Sequence, residues 1–217
     1  MIGRPRVHHA VCDSTNERAK ELAAAGAPHG TLVTAHEQTA GRGRQGREWV
    51  APAGSAVLMS LVLRELDPLL PLRAAVAVAE TCGTDQIKWP NDVWIEGRKV
   101  AGILVEGRPA EGWAVLGVGV NVAPVEFPPE LHAVALDDGR GVEEVLVALL
   151  GALESWLRAD DVLAAWRARD ALKGQAVGWT GGAGGVAAGV DDSGALLVDT
   201  LEGRVALQAG EVHLSLS

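Results

Sequence analysis

An unusual concentration of arginine and glycine lies near residue 44. The segment from Gly41 to Arg47 reads GRGRQGR, so three arginines alternate with three glycines in a chain whose formal net charge is −9. Glycine lets a backbone approach a ligand closely, and a guanidinium group grips carboxylate or phosphate oxygens with paired hydrogen bonds. The pattern indicates an anion-binding loop, although a solvated loop without a ligand fits the same residues.

A second candidate group combines two lysines with one aspartate. Lys88 to Asp92 reads KWPND, and Lys99 follows Asp92 by seven residues across a predicted hairpin. Lysines placed in this way can neutralise phosphate charge, and the aspartate can hold a magnesium ion or orient an attacking amine. The alternative is a surface hairpin with scattered, inert charges.

The predicted strand around residue 118 separates apolar residues from glycines. Side chains alternate between the two faces of a strand. One face is predicted to join the core through Leu116, Val118, Val120 and Val122. The other face carries Gly117, Gly119 and Asn121. A face without side chains leaves room for a flat ligand, or for a helix packed closely on the glycines.

The remaining pattern predicts the elements that hold these residues. Ser14 and Glu17 have the spacing of a capping box, which predicts a helix that begins near residue 15 and ends at Gly26. Further helices are predicted over 69–82 and 142–156. Strands are predicted at 31–37, 55–63, 92–95, 99–105 and 112–122, with residues 87–88 extended and a turn at 90–91.

The sequence changes in character after about residue 172. Glycine-rich turns at 181–185, 192–194 and 202–203 separate short apolar segments, which is typical of a small β module. A module of about 45 residues buries too little apolar surface to be very stable alone, so it should dock on the rest of the chain. We therefore divide the chain into residues 1–171 and 172–217.

Composition narrows the classes of protein. Of the 217 residues 48% are hydrophobic, and no apolar run reaches the length of a membrane-spanning helix. The negative charge argues against general binding to nucleic acid. HExxH and CxxC spacings are absent, which argues against a dedicated metal site. Cys12 and Cys82 lie far apart and the N-terminus has no signal-peptide core, so we expect reduced thiols and a cytoplasmic location.

Five blocks of the sequence, in order, closely resemble the biotin protein ligases. They are Ser14 to Asn16, Gln38 to Arg47, Lys88 to Asp92, Lys99 to Glu106 and Gly117 to Asn121. The resemblance spans about residues 7–125, and five ordered blocks make it specific. The C-terminal module is similar to the small SH3-like barrel of that family, which is a weaker signature.

The resemblance implies an α+β fold of the class II synthetase type, with a mixed, largely antiparallel sheet flanked by helices and a small C-terminal SH3-like β-barrel. It implies that biotin and ATP, with Mg²⁺, react to give biotinyl-5'-AMP and pyrophosphate. Biotin then passes to a lysine of a biotin carboxyl carrier protein. Family members with repressor activity carry an additional N-terminal helix-turn-helix domain, for which Ser14 comes too early. We therefore expect a monofunctional ligase, monomeric or homodimeric, that binds no nucleic acid and no membrane.

The resemblance also assigns residues to the two substrates. Biotin would be bound by Ser14, Thr15, Asn16, Gln38, Gly41, Arg42, Gly43, Arg44, Lys99, Gly102, Ile103 and Gly117. ATP would be bound by Arg44, Arg47, Trp49, Lys88, Asn91, Asp92, Lys99 and Asn121. The catalytic residues would be Arg44, Lys88, Asp92 and Lys99.

Some of these implied roles are more specific. Lys99 would bridge the biotin carboxylate and the α-phosphate. Asp92 would act as a base, as a ligand of the nucleotide's magnesium or as an orienting group, and the resemblance does not choose among these. The loop around Arg44 would be mobile when empty and would close over the adenylate to exclude water.

Two other functions are open at this point. A lipoate or octanoate transferase would share the fold, although KWPND and the Gly-Arg loop are not expected there in this form. A non-catalytic module for nucleotides or RNA would use Arg42, Arg44 and Arg47, and its affinity for RNA would depend on salt.

Overall fold

The computed structural model, which describes residues 2–179, 184–208 and 212–214, is built around a seven-stranded sheet. Its strands are β1 (Arg6–Cys12), β2 (Leu32–Gln38), β3 (Ala56–Leu63), β4 (Gln86–Lys88), β5 (Asp92–Ile95), β6 (Arg98–Arg108) and β7 (Trp113–Asn121). Their order in the sheet is β1-β2-β3-β7-β6-β5-β4. The β1–β2 pair is parallel and the other neighbours are antiparallel, which confirms the predicted mixed, largely antiparallel sheet.

Helices cover both faces of this sheet. Helix α1 (Thr15–Ala24) packs on β2, β3 and β7, where Ala19 and Ala23 join a small apolar cluster. On the other face α2 (Leu70–Cys82) and α3 (Val142–Trp156) pack on each other, and the short α4 (Val162–Arg167) packs on α2. Among the described ranges, no helix is long and apolar enough to cross a membrane.

Strand β7 shows the alternation that the sequence predicts. Leu116, Val118, Val120 and the adjoining Val122 are buried in the main core, on the side of α2 and α3. Gly117 and Gly119 face the opposite side, toward α1 and the segment around Trp49. One face of β7 therefore packs in the core, and the other face carries glycines, which have no side chains.

The C-terminal residues form a second, antiparallel sheet. Its strands are β8 (Ala176–Trp179), β9 (Gly185–Val190), β10 (Leu196–Thr200), β11 (Gly203–Leu207) and β12 (Val212–Leu214). Their order is β11-β10-β9-β8-β12, and among the described residues no ladder joins β11 to β12 to close a barrel. Part of the predicted turn at 181–185 lies outside the described residues.

The second sheet docks on the KWPND segment of the first. Trp89 is buried, and its indole Nε1 donates a hydrogen bond to the carbonyl of Gly194 at 3.0 Å. Ile87 pairs with the linking segment through backbone hydrogen bonds to Arg169 and from Ala171. The expected docking of the C-terminal module is therefore present.

The predicted capping box at the start of α1 is wrong. Ser14 precedes the helix with an extended backbone, but its side chain makes no capping hydrogen bond. Glu17 pairs with Lys20 and Arg42 instead of reaching back to the backbone of Ser14. The Ser14 side chain is buried and is used elsewhere, so two residues with the spacing of a cap serve a different purpose.

Of the described α-helices and the strands of the seven-stranded sheet, β1 and α4 were not predicted. Strand β1 lies at the sheet edge with most side chains exposed or half-buried, so its sequence RVHHAVC lacks a sustained apolar alternation. Helix α4 is only six residues long and is held mainly by the buried Val162 and Trp166. Both elements depend on tertiary contacts that local patterning does not reveal.

Candidate active site

The five sequence blocks converge on one cavity. The cavity lies where the start of α1, the Gly-Arg loop, the KWPND segment and the glycine face of β7 meet, and it encloses about 860 Å³ including its open mouth. The predicted site residues that line it are Ser14, Thr15, Asn16, Gln38, Arg42, Gly43, Arg44, Arg47, Trp49, Lys88, Asn91, Asp92, Lys99, Gly102, Ile103 and Gly117.

Two predicted site residues lie outside the lining. Gly41 sits at the base of the loop, where an added Cβ would come within 2.3 Å of the Trp49 carbonyl oxygen. Its carbonyl accepts a hydrogen bond from the Trp49 backbone at 3.0 Å. Asn121 is buried and donates from Nδ2 to the Val134 carbonyl at 3.1 Å. The structure thus gives Gly41 and Asn121 supporting positions rather than places on the cavity wall.

The structure adds lining residues that the sequence blocks did not single out as site residues. These are Glu48, Leu58, Met59, Pro90, Leu104, Val118, Gly119 and Val212. Gly119 belongs to the glycine face of β7, which is the signal that could have identified it. Val212 comes from β12, more than 90 residues beyond β7 in the chain, so no local pattern links it to the cavity.

The Gly-Arg loop is a compact turn that closes on itself. Gly43 donates from its backbone to the Arg47 carbonyl at 2.7 Å, and Arg42 and Glu48 form an antiparallel bridge. Between them Arg44 to Gly46 form a short 3₁₀ turn, in which Gln45 has a positive φ of 56°. The turn presents Arg44 and Arg47 to the same cavity.

A cluster of cations surrounds Asp92. The Lys99 ammonium lies 2.7 Å from a carboxylate oxygen of Asp92, and β5 and β6 place these two residues on adjoining strands. Burial lowers the pKa of the Arg44 guanidinium, and the charge of Asp92 opposes that effect. Burial also lowers the pKa of Lys88; Asp92 opposes the shift, while Lys99 and Arg47 add to it. The single negative charge of Asp92 therefore offsets only part of the positive charge of Arg44, Lys88 and Lys99.

The glycine face of β7 is covered by an indole and an amide. An added Cβ on Gly119 would lie 2.5 Å from Cε2 of Trp49, and one on Gly102 would lie 3.1 Å from Cζ3 of the same ring. The Lys99 ammonium lies 5.7 Å from the Trp49 ring centroid. At Gly117 the neighbour is the Asn16 side chain of α1. The helix interpretation is therefore confirmed at Gly117, whereas at Gly119 the protein's own Trp49 ring, and not a ligand, lies against the sheet.

Buried polar side chains occupy the part of the cavity next to Gly117. Ser14, Thr15, Asn16 and, beneath them, Ser60 are each less than 5% exposed. Gln38 Oε1 accepts a hydrogen bond from the Thr15 backbone at 2.7 Å. This group offers several uncharged hydrogen-bonding atoms in the same cavity as the cationic cluster.

Arg42 belongs to this polar part rather than to the cationic cluster. Its guanidinium pairs with Glu17 of α1, and Glu106 of β6 lies 4.0 Å away. Two carboxylates therefore offset the charge of Arg42, whereas Lys88 and Lys99 share the single carboxylate of Asp92. Arg42 therefore lies with the polar group in the same cavity.

The donor set suits a metal that arrives with a nucleotide. Among the residues described, no group of three or more His, Cys, Asp or Glu is placed to hold a metal ion. The cavity carries Asp92 with the amide of Asn91 beside it. Magnesium is commonly bound by one or two carboxylates together with substrate phosphates, so these residues fit magnesium bound mainly to a triphosphate.

Two family models and the sequences of several known proteins match this chain. A family model described as the Biotin/lipoate A/B protein ligase family matches residues 9–122, and one described as Biotin protein ligase C terminal domain matches residues 180–215. The biotin--[acetyl-CoA-carboxylase] ligase of Paracoccus denitrificans is 37% identical, over 92% of this chain and 96% of that protein. The bifunctional ligase/repressor BirA of Bacillus subtilis is 34% identical, over 99% of this chain and 75% of that protein.

A solved structure that is similar to this chain also belongs to a biotin protein ligase. The biotin protein ligase from Aquifex aeolicus in complex with biotin and ATP superposes with a TM-score of 0.84 at 29% identity. The superposition covers 99% of this chain and 100% of that chain. The chain therefore belongs to the biotin/lipoate A/B protein ligase family.

Proposed function

We propose that this chain is a biotin protein ligase, which activates biotin with ATP and transfers it to a lysine of a carrier protein. The observation that carries the proposal is the meeting of Arg44, Lys88 and Lys99 in one cavity with the buried polar group around Thr15. The polar group matches an uncharged urea ring. The cations match a carboxylate and a triphosphate, and one extended ligand can reach both groups.

In the first half-reaction a biotin carboxylate oxygen bonds to the α-phosphorus of ATP, and pyrophosphate leaves. Both reactants are anions, so they repel each other as they approach. Lys99 and Arg44 lie where positive charge offsets this repulsion, and such preorganised charge lowers the barrier most as the transition state forms. Magnesium, held through Asp92 and Asn91 and the phosphates, would add Lewis-acid polarisation of the phosphoryl oxygens.

In the second half-reaction the amine of a carrier lysine attacks the acyl carbon of biotinyl-5'-AMP, and AMP leaves. A free lysine amine has a pKa of about 10.4 and must lose a proton before it attacks. Asp92 is the carboxylate nearest to Lys99. Besides the contact with magnesium that it would make in the first half-reaction, we assign it an orienting role, because its Oδ1 is already paired with the Lys99 ammonium.

The carrier and the division of the chain complete the proposal. We propose that the acceptor is a biotin carboxyl carrier protein, in line with relatives named for acetyl-CoA carboxylase. We also propose residues 1–171 as the catalytic domain and 172–217 as the C-terminal domain. The separate second sheet supports this division, and the contact from Trp89 to Gly194 and the place of Val212 in the cavity lining support a role in closing the site.

The first half-reaction can be tested without a carrier. We expect the purified chain to release pyrophosphate when biotin, ATP and magnesium are supplied together, and mass spectrometry should detect biotinyl-5'-AMP. Lipoate in place of biotin should give no corresponding adenylate. Adenylation of lipoate in preference to biotin, or tight salt-sensitive RNA binding without any pyrophosphate release, would contradict the proposal.

Removal of a cavity cation should slow adenylation without unfolding the chain. We expect Lys99→Ala and Arg44→Ala each to lose about 2 to 5 kcal/mol of transition-state binding, as when one partner of a buried charged contact is removed. Arg44→Lys should recover only part of the rate because an ammonium lacks the planar fork. Arg98→Ala, which removes an exposed neighbouring cation paired with Glu96, is the control. A wild-type rate for Lys99→Ala would refute the role of Lys99.

The lowered pKa of Lys88 predicts a pH dependence. A lysine whose pKa is lowered loses its charge at a lower pH than an ordinary lysine, so its attraction for phosphate should fade as pH rises through that value. We expect kcat/KM for ATP to fall on the alkaline side below about pH 10.4. Lys88→Arg keeps its charge and should move the fall to higher pH. An identical alkaline limb in wild type and Lys88→Arg would contradict the assignment.

A further inference from the structure

A chain of hydrogen bonds runs from Glu106 on β6, through the cavity wall, to Thr15 on α1. Asn16 Nδ2 lies 2.8 Å from a carboxylate oxygen of Glu106, and Asn16 Oδ1 lies 2.6 Å from the Ser60 hydroxyl. The Ser60 hydroxyl lies 2.8 Å from the Thr15 hydroxyl. Asn16 and Ser60 are buried, so water cannot substitute for these partners without cost.

The ionised end of this chain fixes the direction of every bond in it. A carboxylate can only accept hydrogen bonds, so the Asn16 amide must turn its NH₂ toward Glu106 and its oxygen toward Ser60. The Ser60 hydroxyl has one proton and must donate it to the Asn16 oxygen, which cannot donate. The Ser60 oxygen then has only lone pairs left, so it acts as an acceptor toward the Thr15 hydroxyl.

Thr15 then has no proton left for a ligand. Its hydroxyl has two acceptors within reach, the Ser60 oxygen at 2.8 Å and Gln38 Oε1 at 3.1 Å. Gln38 Oε1 already accepts from the Thr15 backbone at 2.7 Å, which fixes the orientation of that amide. Whichever acceptor takes the proton, Thr15 presents only lone pairs to the cavity. It is therefore a hydrogen-bond acceptor for a ligand N–H group.

The surroundings of Glu106 keep it charged. Burial alone would raise its pKa, but hydrogen bonds from Asn16 and Lys20 and the positive charges of Lys20 and Arg42 outweigh burial and hold the pKa of Glu106 below its ordinary value. Lys20 lies 3.1 Å from Glu106. The carboxylate is thus ionised throughout the neutral range, and the direction of the chain does not change with pH there.

We propose that Glu106 and Ser60 are positioning residues for biotin recognition, which make Thr15 an obligatory acceptor for an N–H of the biotin urea ring. This inference rests on the proposed function, because it takes biotin as the ligand of the polar group. A urea ring offers two N–H donors, whereas a dithiolane ring offers none. The same chain of hydrogen bonds therefore favours biotin over lipoate at this part of the cavity.

Glu106→Gln should remove the fixed donor–acceptor direction of these hydrogen bonds, while it preserves the shape of the side chain at residue 106. A neutral amide can donate as well as accept, so Asn16 can flip, Ser60 can donate to Thr15, and the acceptor at Thr15 is lost in part of the population. We expect calorimetry without ATP to show a biotin Kd raised about tenfold. The KM for ATP should stay within about twofold of wild type and the melting temperature close to it. Glu111→Gln is the matched control, since Glu111 also accepts from one cation, Arg108, and one neutral side chain, Trp113.

A double-mutant cycle separates this mechanism from a general loss of packing. In the backgrounds Thr15→Val and Ser60→Ala the path from the carboxylate to the ligand is already broken, so adding Glu106→Gln should change the biotin Kd by less than about twofold. Desthiobiotin, which keeps the urea ring, should show the same pattern. An unchanged biotin Kd in Glu106→Gln, or a full tenfold loss added in both backgrounds, would overturn the inference.

These outcomes are distinct from a failure of the proposed function. If the wild-type chain forms biotinyl-5'-AMP and Glu106→Gln binds biotin like wild type, only the role of Glu106 is wrong. If the wild-type chain neither binds biotin nor releases pyrophosphate, the proposed function itself is wrong.

Discussion

Repulsion between a carboxylate and a triphosphate is the constraint that the cavity has to overcome. Two unit charges 4 Å apart interact with about 4 kcal/mol at an effective dielectric constant of 20. An acidic protein with net charge −9 worsens this repulsion unless positive charge is concentrated locally. The structure concentrates it by bringing arginines from one loop and lysines from one hairpin around Asp92.

The lysines reach this place because β4, β5 and β6 form an antiparallel ladder. Lys88 pairs with Asp92 across β4 and β5, and the β5–β6 hairpin brings Lys99 back beside the same aspartate. The single carboxylate lowers the cost of holding two ammonium groups together before any ligand binds. The charge of Asp92 is smaller than the summed charge of Lys88 and Lys99, so net positive charge remains to attract anionic substrates.

Glycines make room for this arrangement. Gly119 and Gly102 admit the Trp49 indole against the sheet, and Gly117 admits the Asn16 amide. A side chain at Gly117 or Gly119 would collide with these groups at less than 3 Å. The sheet is therefore able to carry a cationic group and a polar group side by side on one face, while its other face forms the core.

The sequence predicts most of the cavity because each block is short and local. The alternation in β7 and the helical pattern over 142–156 are also local, and both are confirmed. The capping box failed because the buried Ser14 side chain lines the cavity and Glu17 pairs with Arg42. Val212 could not be predicted, since only the docking of the second sheet brings it to the site.

Ser60 is a site-supporting residue that the five sequence blocks do not include. It is a polar residue within the apolar run of β3, AVLMSLVL, and it is fully buried. A buried hydroxyl needs a partner, so a serine in this apolar strand indicates a polar neighbour. Its partners, Thr15 and Asn16, lie more than 40 residues away in the sequence. Their identity follows only from the packing of α1 on β3 and β7.

The most direct test of charge compensation is the coupling between the two anionic ligands. Calorimetry would measure the biotin Kd with and without a saturating non-hydrolysable ATP analogue, in wild type and in Lys99→Met. We expect the analogue to leave biotin binding unweakened in wild type and to weaken it at least about tenfold in Lys99→Met, whereas the uncharged alcohol of biotin should show no such penalty. Equal coupling in the two proteins would contradict the claim that the hairpin cation cancels this repulsion.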